Sequence, residues 1–483
     1  MPTLRIFNTL GREVQEFVPR TEGTVRLYSC GPTVYDYATI GNFRTFIFVD
    51  VLRRTLSALG YEVRHMMNIT DVGHLVSDAD EGEDKMVAGA RREGTTVWEI
   101  AAFYTERFFA DAAALNLLRP HVVAKATEHI ADMIALIRRL EDRGFTYVAG
   151  GNVFFDVARF ARYGELALLD RQMLQAGARI SVDQSKRNPE DFGLWFTRSK
   201  FENQAMIWDS PWGRGYPGWH IECSAMAMRY LQEQFDIHCG GIDLIPVHHT
   251  NEIAQAEAAI GIEPQSAERW VNYWCHGEFL MVNGAKMSKS KGNWVTIGQL
   301  QEQGYDALDF RFFVLGAHYR AHQNFTMRAL AAARTARLGL VARVAELARR
   351  AGCDLGALEP ADTCHPAVRA ALGHAANDLA MPRVLASLWQ LVKGDESDPE
   401  QSLRAVAAID GILGLQLLQK AAASGSADQS DPAVDALVRE REAARRRRDF
   451  DRADAIRAQL MQQGFELRDT PNGTVWKRSA GAD

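Results

Sequence analysis

The chain has 483 residues, enough for about three domains, and its 47% of hydrophobic residues allows a large buried core. Its net charge of −6 argues against a protein that coats nucleic acid, although it leaves room for a local basic patch. No apolar run approaches the roughly 18 residues of a membrane span and the first residues lack a signal-peptide pattern, so we expect a cytoplasmic protein with no membrane partner.

The first predicted elements alternate between strand and helix. Residues 24–30 are rich in strand formers and end in Gly31-Pro32, so they predict a strand that runs into a loop. Residues 43–59 have apolar side chains at helical spacing. Residues 61–70 predict a second strand and residues 235–239 a further buried one. Strand, glycine-bearing loop, helix and strand begin a parallel α/β unit.

The rest of the chain divides by composition. The long separation between the predicted strands implies an inserted subdomain, an Ala-, Leu- and Arg-rich stretch predicts a helical bundle, and a Ser- and Ala-rich stretch predicts a flexible linker. The last stretch predicts a charged helix to Gln463 and a hairpin through Pro471-Asn472-Gly473. The expected fold class is α/β: a Rossmann-like parallel-sheet catalytic domain with an inserted subdomain, followed by a helical bundle and a small C-terminal α+β module. The expected boundaries are 1–118 with 206–260 for the catalytic domain, 119–205 for the insertion, 261–326 for a lysine-bearing connecting fold, 327–420 for the bundle, 421–431 for the linker and 432–483 for the C-terminal module.

Two segments indicate a nucleotide site. The loop of residues 32–42 leads into a helix N-terminus, whose unpaired N–H groups and partial positive charge suit a phosphate. Gly41 would let the backbone approach the ligand closely, although an ordinary turn is an equally good reading of this loop alone. Between Gly284 and Asn293, three lysines alternate with small residues. A mobile loop of this kind can close on a triphosphate, and a solvated basic loop is the alternative.

Residues 286–290, Lys-Met-Ser-Lys-Ser, are the full KMSKS signature of class I aminoacyl-tRNA synthetases, which the chain therefore resembles. Residues 39–42, Thr-Ile-Gly-Asn, lie where that family carries its HIGH signature. The resemblance implies catalytic roles for Thr39, Asn42, Lys286 and Lys289, and contacts to ATP from Gly41, Asp243 and Lys289. Thr39 replaces the family's first histidine, and a hydroxyl donates one hydrogen bond but carries no charge. Lower turnover would follow from this departure.

A metal site is the second candidate. His248 and Glu252 stand four residues apart, on one face of a helix if the segment is helical, and can share one metal ion; a polar helix start is the alternative. Cys30 and Cys223 could complete a tetrahedral set, but sequence alone does not bring them together. The cysteines are too scattered for a disulfide framework, so some fit better as ligands or core residues. They are Cys30, Cys223, Cys239, Cys275, Cys353 and Cys364.

Residues 30–35, 208–212, 218–226 and 248–252 resemble the cysteinyl-tRNA synthetases within class I. The resemblance implies that Cys30, Cys223, His248 and Glu252 bind one zinc ion, to which the sulfur of the substrate cysteine also binds. It also implies that Thr70 and Trp219 contact the cysteine and that Asp243 lies near the nucleotide ribose. A zinc ion holds a thiolate and matches the hydroxyl of serine poorly, so no editing domain is expected.

Two further positions depart from this family. Thr250 replaces a glutamate that is not a ligand, so the metal should be unaffected. Cys239 stands where glycine is usual, and we read it as a buried residue outside the metal site.

The C-terminal stretch resembles the anticodon-binding module of the same family. Four consecutive arginines, 445–448, precede aspartates and an aromatic residue. Arginines supply phosphate contacts, while aspartates and aromatic rings read or stack unpaired bases. Arg445, Asp454 and Asp469 are the candidates for anticodon contact, and a solvated charged face is the alternative.

The sequence therefore predicts a ligase that activates L-cysteine with ATP and Mg²⁺ and transfers it to the 3′ end of tRNA(Cys), acting as a monomer with one zinc ion per chain. Three alternatives stay open. A cysteine ligase with a small amine acceptor shares the activation step but would not need the bundle and the C-terminal module. A non-catalytic tRNA-binding paralogue would account for Thr39, and a zinc hydrolase would account for His248 and Glu252 but not for the lysine-rich signature.

Overall fold

The computed structural model describes the secondary structure of residues 1–73, 85–168, 186–197, 206–287, 293–394, 398–427, 432–447, 449–470 and 473–478. The strands are β1 (Arg5–Asn8), β2 (Glu13–Glu16), β3 (Thr24–Ser29), β4 (Glu62–Ile69), β5 (Val122–Lys125), β6 (Thr146–Ala149), β7 (Asn152–Phe155), β8 (Phe192–Phe196), β9 (Tyr216–Pro217), β10 (Phe235–Gly241), β11 (Val271–Gly277), β12 (Leu280–Val282), β13 (Ala285–Lys286), β14 (Gln323–Phe325), β15 (Phe465–Thr470) and β16 (Gly473–Arg478). The α-helices are α1 (Ile40–Ala58), α2 (Lys85–Glu93), α3 (Val97–Ala114), α4 (Ile130–Asp142), α5 (Trp219–Leu231), α6 (Thr250–Ile260), α7 (Ile297–Glu302), α8 (Ala307–Leu315), α9 (Met327–Ala351), α10 (Pro366–Ala376), α11 (Met381–Lys393), α12 (Pro399–Leu413), α13 (Leu417–Ala427), α14 (Pro432–Arg446) and α15 (Phe450–Gln462).

The predicted catalytic domain contains a five-stranded sheet in the order β11-β10-β3-β4-β5, in which every neighbouring pair is parallel. Both faces of the sheet are covered, as parallel sheets require. Leu27 and Ile237 pack in the hydrophobic cluster that contains α1, whereas Tyr28 and Trp274 pack in the cluster that contains α5. The predicted Rossmann-like α/β class is confirmed.

The first helix begins three residues before the predicted start at Phe43. Thr39 precedes α1 with an extended backbone, and its side chain and that of Asn42 each bond the other's backbone N–H. This reciprocal cap satisfies two N–H groups that a helix N-terminus otherwise leaves unpaired. The helix can therefore start at Ile40, which hydrophobic periodicity alone did not reveal.

Two strands of the main sheet lie outside the ranges predicted for the catalytic domain. β5 is a four-residue edge strand inside the range given to the insertion, and β11 lies beyond residue 260. A second sheet, antiparallel and ordered β6-β7-β8-β9, spans residues 146–217. The exact domain boundaries stay a prediction, because secondary structure alone does not define them.

Helices α9 to α13 form the predicted helical bundle, and their apolar faces join the cluster around α1. The linker predicted at 421–431 is partly helical, because α13 continues to Ala427. Leu417, Leu418 and Ala421 are buried against the bundle and hold the start of this helix in place. Residues 428–431 lie outside the described residues.

The C-terminal module has two helices and a hairpin. The charged stretch predicted as one helix forms α14 and α15 instead, and Asp449 caps the second through the backbone N–H of Arg452. β15 and β16 pair antiparallel, as predicted, although Pro471 and Asn472 of the turn lie outside the described residues. A small core of its own stabilises the module: Val434, Val438, Ile456, Leu460 and Phe465.

A buried ion pair connects the sheet domain to the bundle. Arg311 of α8 is fully buried, and its guanidinium lies 2.5 Å from a carboxylate oxygen of Asp50 on α1. The same guanidinium donates to the carbonyl oxygens of Leu413, at the end of α12, and Leu115, after α3. One side chain on α8 thereby bonds α1 and the ends of α3 and α12.

Among the described residues, no single helix is both long and apolar enough to cross a membrane. One pair of neighbouring helical segments, Pro399–Leu413 and Leu417–Ala423, has the combined length and composition of a membrane span, but the pair is bent by 118° at its break.

Candidate active site

The N-terminus of α1 carries three predicted site residues. The Thr39 hydroxyl accepts a hydrogen bond from the backbone N–H of Asn42 at 3.3 Å and donates to Asn42 Oδ1 at 2.7 Å. Asn42 Oδ1 also accepts from the backbone N–H of Thr39 at 2.9 Å. The hydroxyl proton of Thr39 is thus already engaged within the helix cap. Gly41 leaves space at this end of the helix, where an added Cβ would lie 3.5 Å from the Met287 side chain.

The lysine-bearing signature lies next to this helix. The backbone N–H of Ile40 donates to the carbonyl oxygen of Val295 at 3.0 Å, and Thr39 pairs with Thr296 in an antiparallel bridge. Lys286 is exposed, and its ammonium lies 4.5 Å from the centre of the Phe279 ring. Residues 288–292, which include Lys289, lie outside the described residues.

Four predicted metal ligands converge in the structure, although they are distant in sequence. One donor atom each from Cys30, Cys223, His248 and Glu252 lies within 4.8 Å of the other three. His248 Nε2 is 2.7 Å from Glu252 Oε1, and the spacing of four residues places both on one side of the chain. Cys30 is partly buried and the other three are buried. Two thiols, an imidazole and a carboxylate match the donor types of tetrahedral zinc sites.

The parallel sheet explains how the two distant segments meet. Cys30 follows β3, and its backbone N–H donates to the carbonyl oxygen of Cys239 in neighbouring β10 at 3.1 Å. Gly31 is required there, because an added Cβ would lie 1.7 Å from the carbonyl oxygen of Asn68. After β10 the chain makes a π-helical turn, Ile245–His249, that leads into α6. The predicted metal-binding side chains thus gather at the carboxyl edge of the sheet, where open α/β folds bind small molecules.

Further histidines surround the cluster, and sequence reasoning did not select them as site residues. His238 Nε2 lies 2.7 Å from the second carboxylate oxygen of Glu252, and His249 Nε2 lies 3.4 Å from Cys30 Sγ. These two residues with Cys30 and Glu252 make a second set of four donors within 4.8 Å. His276 bonds His249, at 2.7 Å. The sequence held a hint of both positions. His238 lies in the strand predicted at residues 235–239, and His276 lies in the apolar stretch that forms β11.

The pKa values of the four candidate ligands are shifted, and in different directions. Burial raises the pKa of Cys30, and the neighbouring Cys223 adds to this effect. The hydrogen bond from Cys30, together with the charge of His248, lowers the pKa of Cys223. Burial alone would raise the pKa of Glu252, but His238 and His248 outweigh it and lower that pKa to about 2. Burial likewise opposes a charged His248, yet Glu252 and Cys223 raise its pKa to about 10.

This charge distribution fits a metal ion. Donors that are buried as anions need a compensating positive charge, and the raised pKa of His248 indicates that the site favours one. A divalent cation would supply the same charge while accepting all four donors. The residues present can therefore hold a metal ion.

One cavity of about 300 Å³ brings the metal cluster and the nucleotide segments together. The Trp219 ring lies 4.4 Å from that of His248, and the Thr70 hydroxyl accepts a hydrogen bond from Asn68 at 2.9 Å. Glu252 lies behind the wall as a fully buried residue. The predicted site residues that line the cavity are Cys30, Thr39, Gly41, Asn42, Thr70, Trp219, Cys223, Asp243, His248 and Lys286.

The remaining predicted residues lie elsewhere. Arg445 on α14 and Asp454 on α15 are exposed in the C-terminal module, and Asp469 belongs to β15. The side chain of Asp469 lies outside the described residues. Cys239 is fully buried beside Cys275 in the adjacent strand and belongs to neither donor set.

Two family models match the chain. One, described as the class I (C) tRNA synthetase catalytic domain, matches residues 16–335, and the other, described as the cysteinyl-tRNA ligase anticodon binding domain, matches residues 427–476. The chain is 48% identical to a cysteine–tRNA ligase of Treponema denticola, over 99% of this chain and 100% of that protein. It is 46% identical to cysteine–tRNA ligase 1 of Burkholderia lata, over 97% of this chain and 96% of that protein.

Solved structures agree on the fold. A methionyl-tRNA synthetase of Mycobacterium tuberculosis, in complex with methionyl-adenylate, superposes with a TM-score of 0.53 at 15% identity. The match covers 83% of this chain and 92% of that one. A match at an identity this low shows the fold alone, whereas the full-length relatives and the two family models show the family. The chain therefore belongs to the cysteine–tRNA ligase family of class I aminoacyl-tRNA synthetases.

Proposed function

We propose that the protein activates L-cysteine with ATP and transfers the cysteinyl group to the 3′ end of tRNA(Cys). The observation that carries this proposal is the shared cavity: three of the four candidate metal ligands line it together with residues of the two predicted nucleotide segments, and Glu252 completes the set from behind the wall. A zinc hydrolase would use the metal ligands but not the nucleotide-binding segments. A nucleotide-binding protein of another kind would not need the metal ligands.

In the first step, the cysteine carboxylate attacks the α-phosphorus of ATP, and pyrophosphate leaves with the electrons of the broken P–O bond. We assign to Lys286, which lines the cavity, the role of meeting the negative charge that develops on the leaving group, with Lys289 as its expected partner. The N-terminus of α1, with Gly41, offers backbone N–H groups to the phosphates. Most of the acceleration would come from holding the carboxylate and the phosphate in line. Mg²⁺ would accompany the ATP, bound mainly by its phosphates.

The metal-binding end of the cavity selects the amino acid. Zinc, when bound by Cys30, Cys223, His248 and Glu252, would supply a soft acceptor that binds the substrate sulfur as a thiolate. Trp219 would close over the small side chain, and Thr70 would lie beside the substrate. A hydroxyl binds such a site poorly, so serine would be rejected by more than the roughly hundredfold that pocket shape achieves for an isostere.

In the second step, a ribose hydroxyl of the tRNA's last nucleotide attacks the cysteinyl carbonyl, and AMP leaves. The C-terminal module would hold the anticodon, with Arg445 contacting phosphate and Asp454 and Asp469 contacting bases. The match of residues 427–476 to an anticodon-binding family model supports this assignment. We infer a cytoplasmic location, because a tRNA substrate would be charged where protein synthesis takes place. We expect the protein to act as a monomer.

Cysteine-dependent exchange of pyrophosphate into ATP tests the first step. We expect exchange with cysteine and none above background with serine, followed by charging of purified tRNA. Exchange without charging would favour the ligase with a small amine acceptor. A protein that binds tRNA but shows no exchange would be the non-catalytic paralogue, and the proposed function would then be wrong.

A further inference from the structure

A further cavity, of about 130 Å³, lies between α1, α3 and β4. Its lining is mostly apolar and includes Phe46, Met67, Phe108, Phe109 and Leu117. The Phe108 ring meets the rings of Phe46 and Phe109 edge-on, at 4.9 and 5.2 Å between centres. Apolar cavities of about 150 Å³ in protein interiors bind benzene. This cavity can therefore accept a single six-membered ring in edge-to-face contact with these side chains.

One buried polar atom in the lining lacks a hydrogen bond. His65 is 3% exposed, and its Nε2 lies 2.9 Å from the Ser29 hydroxyl. Its Nδ1 is also buried, and no described residue bonds it. Burial, with Arg53 and His121 nearby, lowers the pKa of His65 to about 3. The ring is therefore neutral, and Nδ1 can form one more hydrogen bond with a neutral partner.

Water alone satisfies this cavity poorly. A buried water needs two to four polar partners. Asp50 also lines the cavity, but its carboxylate already accepts from the Arg311 guanidinium and from the backbone N–H of Leu118. Among the described side chains of the lining, His65 Nδ1 is therefore the one buried polar atom still open to a ligand. An apolar ring with a single polar group matches this arrangement better than water does.

The cavity can be reached from the surface. Ala113, Leu118 and Arg119 belong to its lining and are exposed. The Arg119 guanidinium lies over the Phe109 ring, 4.2 Å from its centre. Exposed side chains change rotamer within nanoseconds, so a small molecule can enter past Arg119 without unfolding α3.

Phe46 connects this cavity to the candidate active site. It is 7% exposed, and it lines both this cavity and the cavity of about 300 Å³ at the candidate active site. Phe46 follows Asn42 by four residues on α1, and therefore lies on the same face of the helix as a residue of the nucleotide segment. A ring bound behind Phe46 would take up space into which that side chain can otherwise move.

We propose that the cavity between α1, α3 and β4 binds a small neutral aromatic molecule with one hydroxyl or ring N–H group, such as a phenol, and that the bound molecule weakens ATP binding through Phe46. The ring packs against Phe108 and Phe109, and its polar group bonds His65 Nδ1. The effect on ATP rests on the proposed function, whereas the binding itself does not.

Calorimetric titration of the full chain with phenol and with toluene tests the site. The two probes are similar in size and shape, but only phenol carries a hydroxyl. We expect one molecule of either probe per chain. His65→Phe keeps a ring but removes both nitrogens. It should lower the ratio of phenol affinity to toluene affinity by roughly 2- to 12-fold, the contribution of one hydrogen bond.

Two leucine substitutions on α3 form a matched pair. Ala112 is buried and lines the cavity, so Ala112→Leu should fill it and abolish the binding of both probes. Ala110 is exposed on the same helix and lies outside the lining, so Ala110→Leu should bind both probes as the wild type does. Urea denaturation checks that both variants are folded. Should Ala112→Leu fail to fold, the affinity ratio of His65→Phe decides.

The effect on ATP is measured by cysteine-dependent exchange of pyrophosphate. Saturating phenol should raise the KM for ATP by about 5-fold or more in the wild type and in Ala110→Leu, but not in Ala112→Leu. Because linked binding is reciprocal, a non-hydrolysable ATP analogue should weaken the binding of phenol by the same factor.

A wild type that binds neither probe, or binding that survives in folded Ala112→Leu, overturns the site. An affinity ratio that His65→Phe leaves unchanged overturns the role of His65. A KM for ATP that phenol leaves unchanged overturns the link through Phe46. Absence of exchange in the wild type would instead contradict the proposed function, and it would leave the calorimetric result intact.

Discussion

Cys223 is the residue on which amino-acid choice depends most directly in the proposed function. Cys223→Ala removes one of two sulfur ligands, so we expect bound zinc to be lost and cysteine-dependent exchange to fall by roughly 100-fold or more. Metal content and exchange are measured on the same sample. Cys239→Ala is the matched control, since that thiol is equally buried but outside both donor sets. If Cys239→Ala loses the metal and Cys223→Ala keeps it, the assignment of ligands is wrong.

Thr39 caps α1 and also lines the cavity in which we propose that ATP binds. Its hydroxyl proton already bonds Asn42, so it is poorly available to a phosphate. We expect Thr39→His to raise kcat for exchange several-fold, because an imidazolium can carry charge to the phosphates. Removing the cap should lower the free energy of unfolding by about 1 kcal/mol. Steady-state exchange and urea denaturation measure the two effects. Charging by the histidine variant alone, with an inactive wild type, would support the non-catalytic alternative.

His65 predicts an acid-sensitive contribution to stability. Burial, with Arg53 and His121 nearby, lowers the pKa of His65 from 6.5 to about 3. Below pH 6.5 the unfolded chain therefore binds a proton on this residue that the folded chain does not bind. Its contribution to stability is complete above pH 6.5 and is lost as the pH falls toward 3, by about 1.4 kcal/mol per pH unit.

A neutral replacement, His65→Gln, tests this linkage. Denaturant unfolding is measured between pH 6.5 and about pH 5. We expect the variant to be less stable at neutral pH but to lose less stability than the wild type as the pH falls. Equal slopes for the two proteins would show that His65 is not buried as a neutral residue.

At the scale of elements, the pair of Arg311 and Asp50 holds α8 against α1. Burial alone would raise the pKa of Asp50, but Arg311 and Arg54 lower it, so the carboxylate stays charged in the interior. Arg311→Met would leave that charge without its main partner, and we expect a loss of about 3–5 kcal/mol in the free energy of unfolding. Adding Asp50→Asn should recover part of the loss. A double variant as unstable as the sum of both single ones would contradict a direct pairing.

Elements also show what the sequence could predict. β3, β4 and α1 were found from strand formers and helical periodicity, because those patterns arise from burial on known faces. The start of α1 was misplaced, since a Thr–Asn cap is a local hydrogen-bond pattern and not a hydrophobic one. The continuation of α13 into a Ser- and Ala-rich stretch was missed because composition alone predicts a flexible linker there. Burial of Ala421 against the bundle stabilises the helix instead.

The candidate site shows a similar division. His248 and Glu252 could be paired from their spacing, but Cys30 and Cys223 required a family resemblance, because strand order in a parallel sheet is not encoded locally. His238 and His249 were not predicted as site residues, because their roles depend on the partners that the fold brings to them. His238 lies against Glu252 and His249 lies against Cys30.

For the whole molecule, the proposed function divides the chain into a part that activates cysteine and a part that holds tRNA. The C-terminal module has its own core, so removing residues 428–483 should leave the catalytic domain folded. We expect the shortened chain to retain cysteine-dependent exchange near the wild-type rate and to lose roughly 100-fold or more in kcat/KM for tRNA charging. Equal charging by both chains would contradict the assigned role of the module.

The central claim is that a metal held by two thiols, an imidazole and a carboxylate chooses the amino acid by its sulfur. X-ray absorption at the zinc edge of the purified protein tests it most directly. The account predicts one zinc ion per chain with two sulfur ligands, and a third sulfur when cysteine is added but not when serine is added. Purified active protein without zinc, or a sulfur count that cysteine leaves unchanged, would contradict the account.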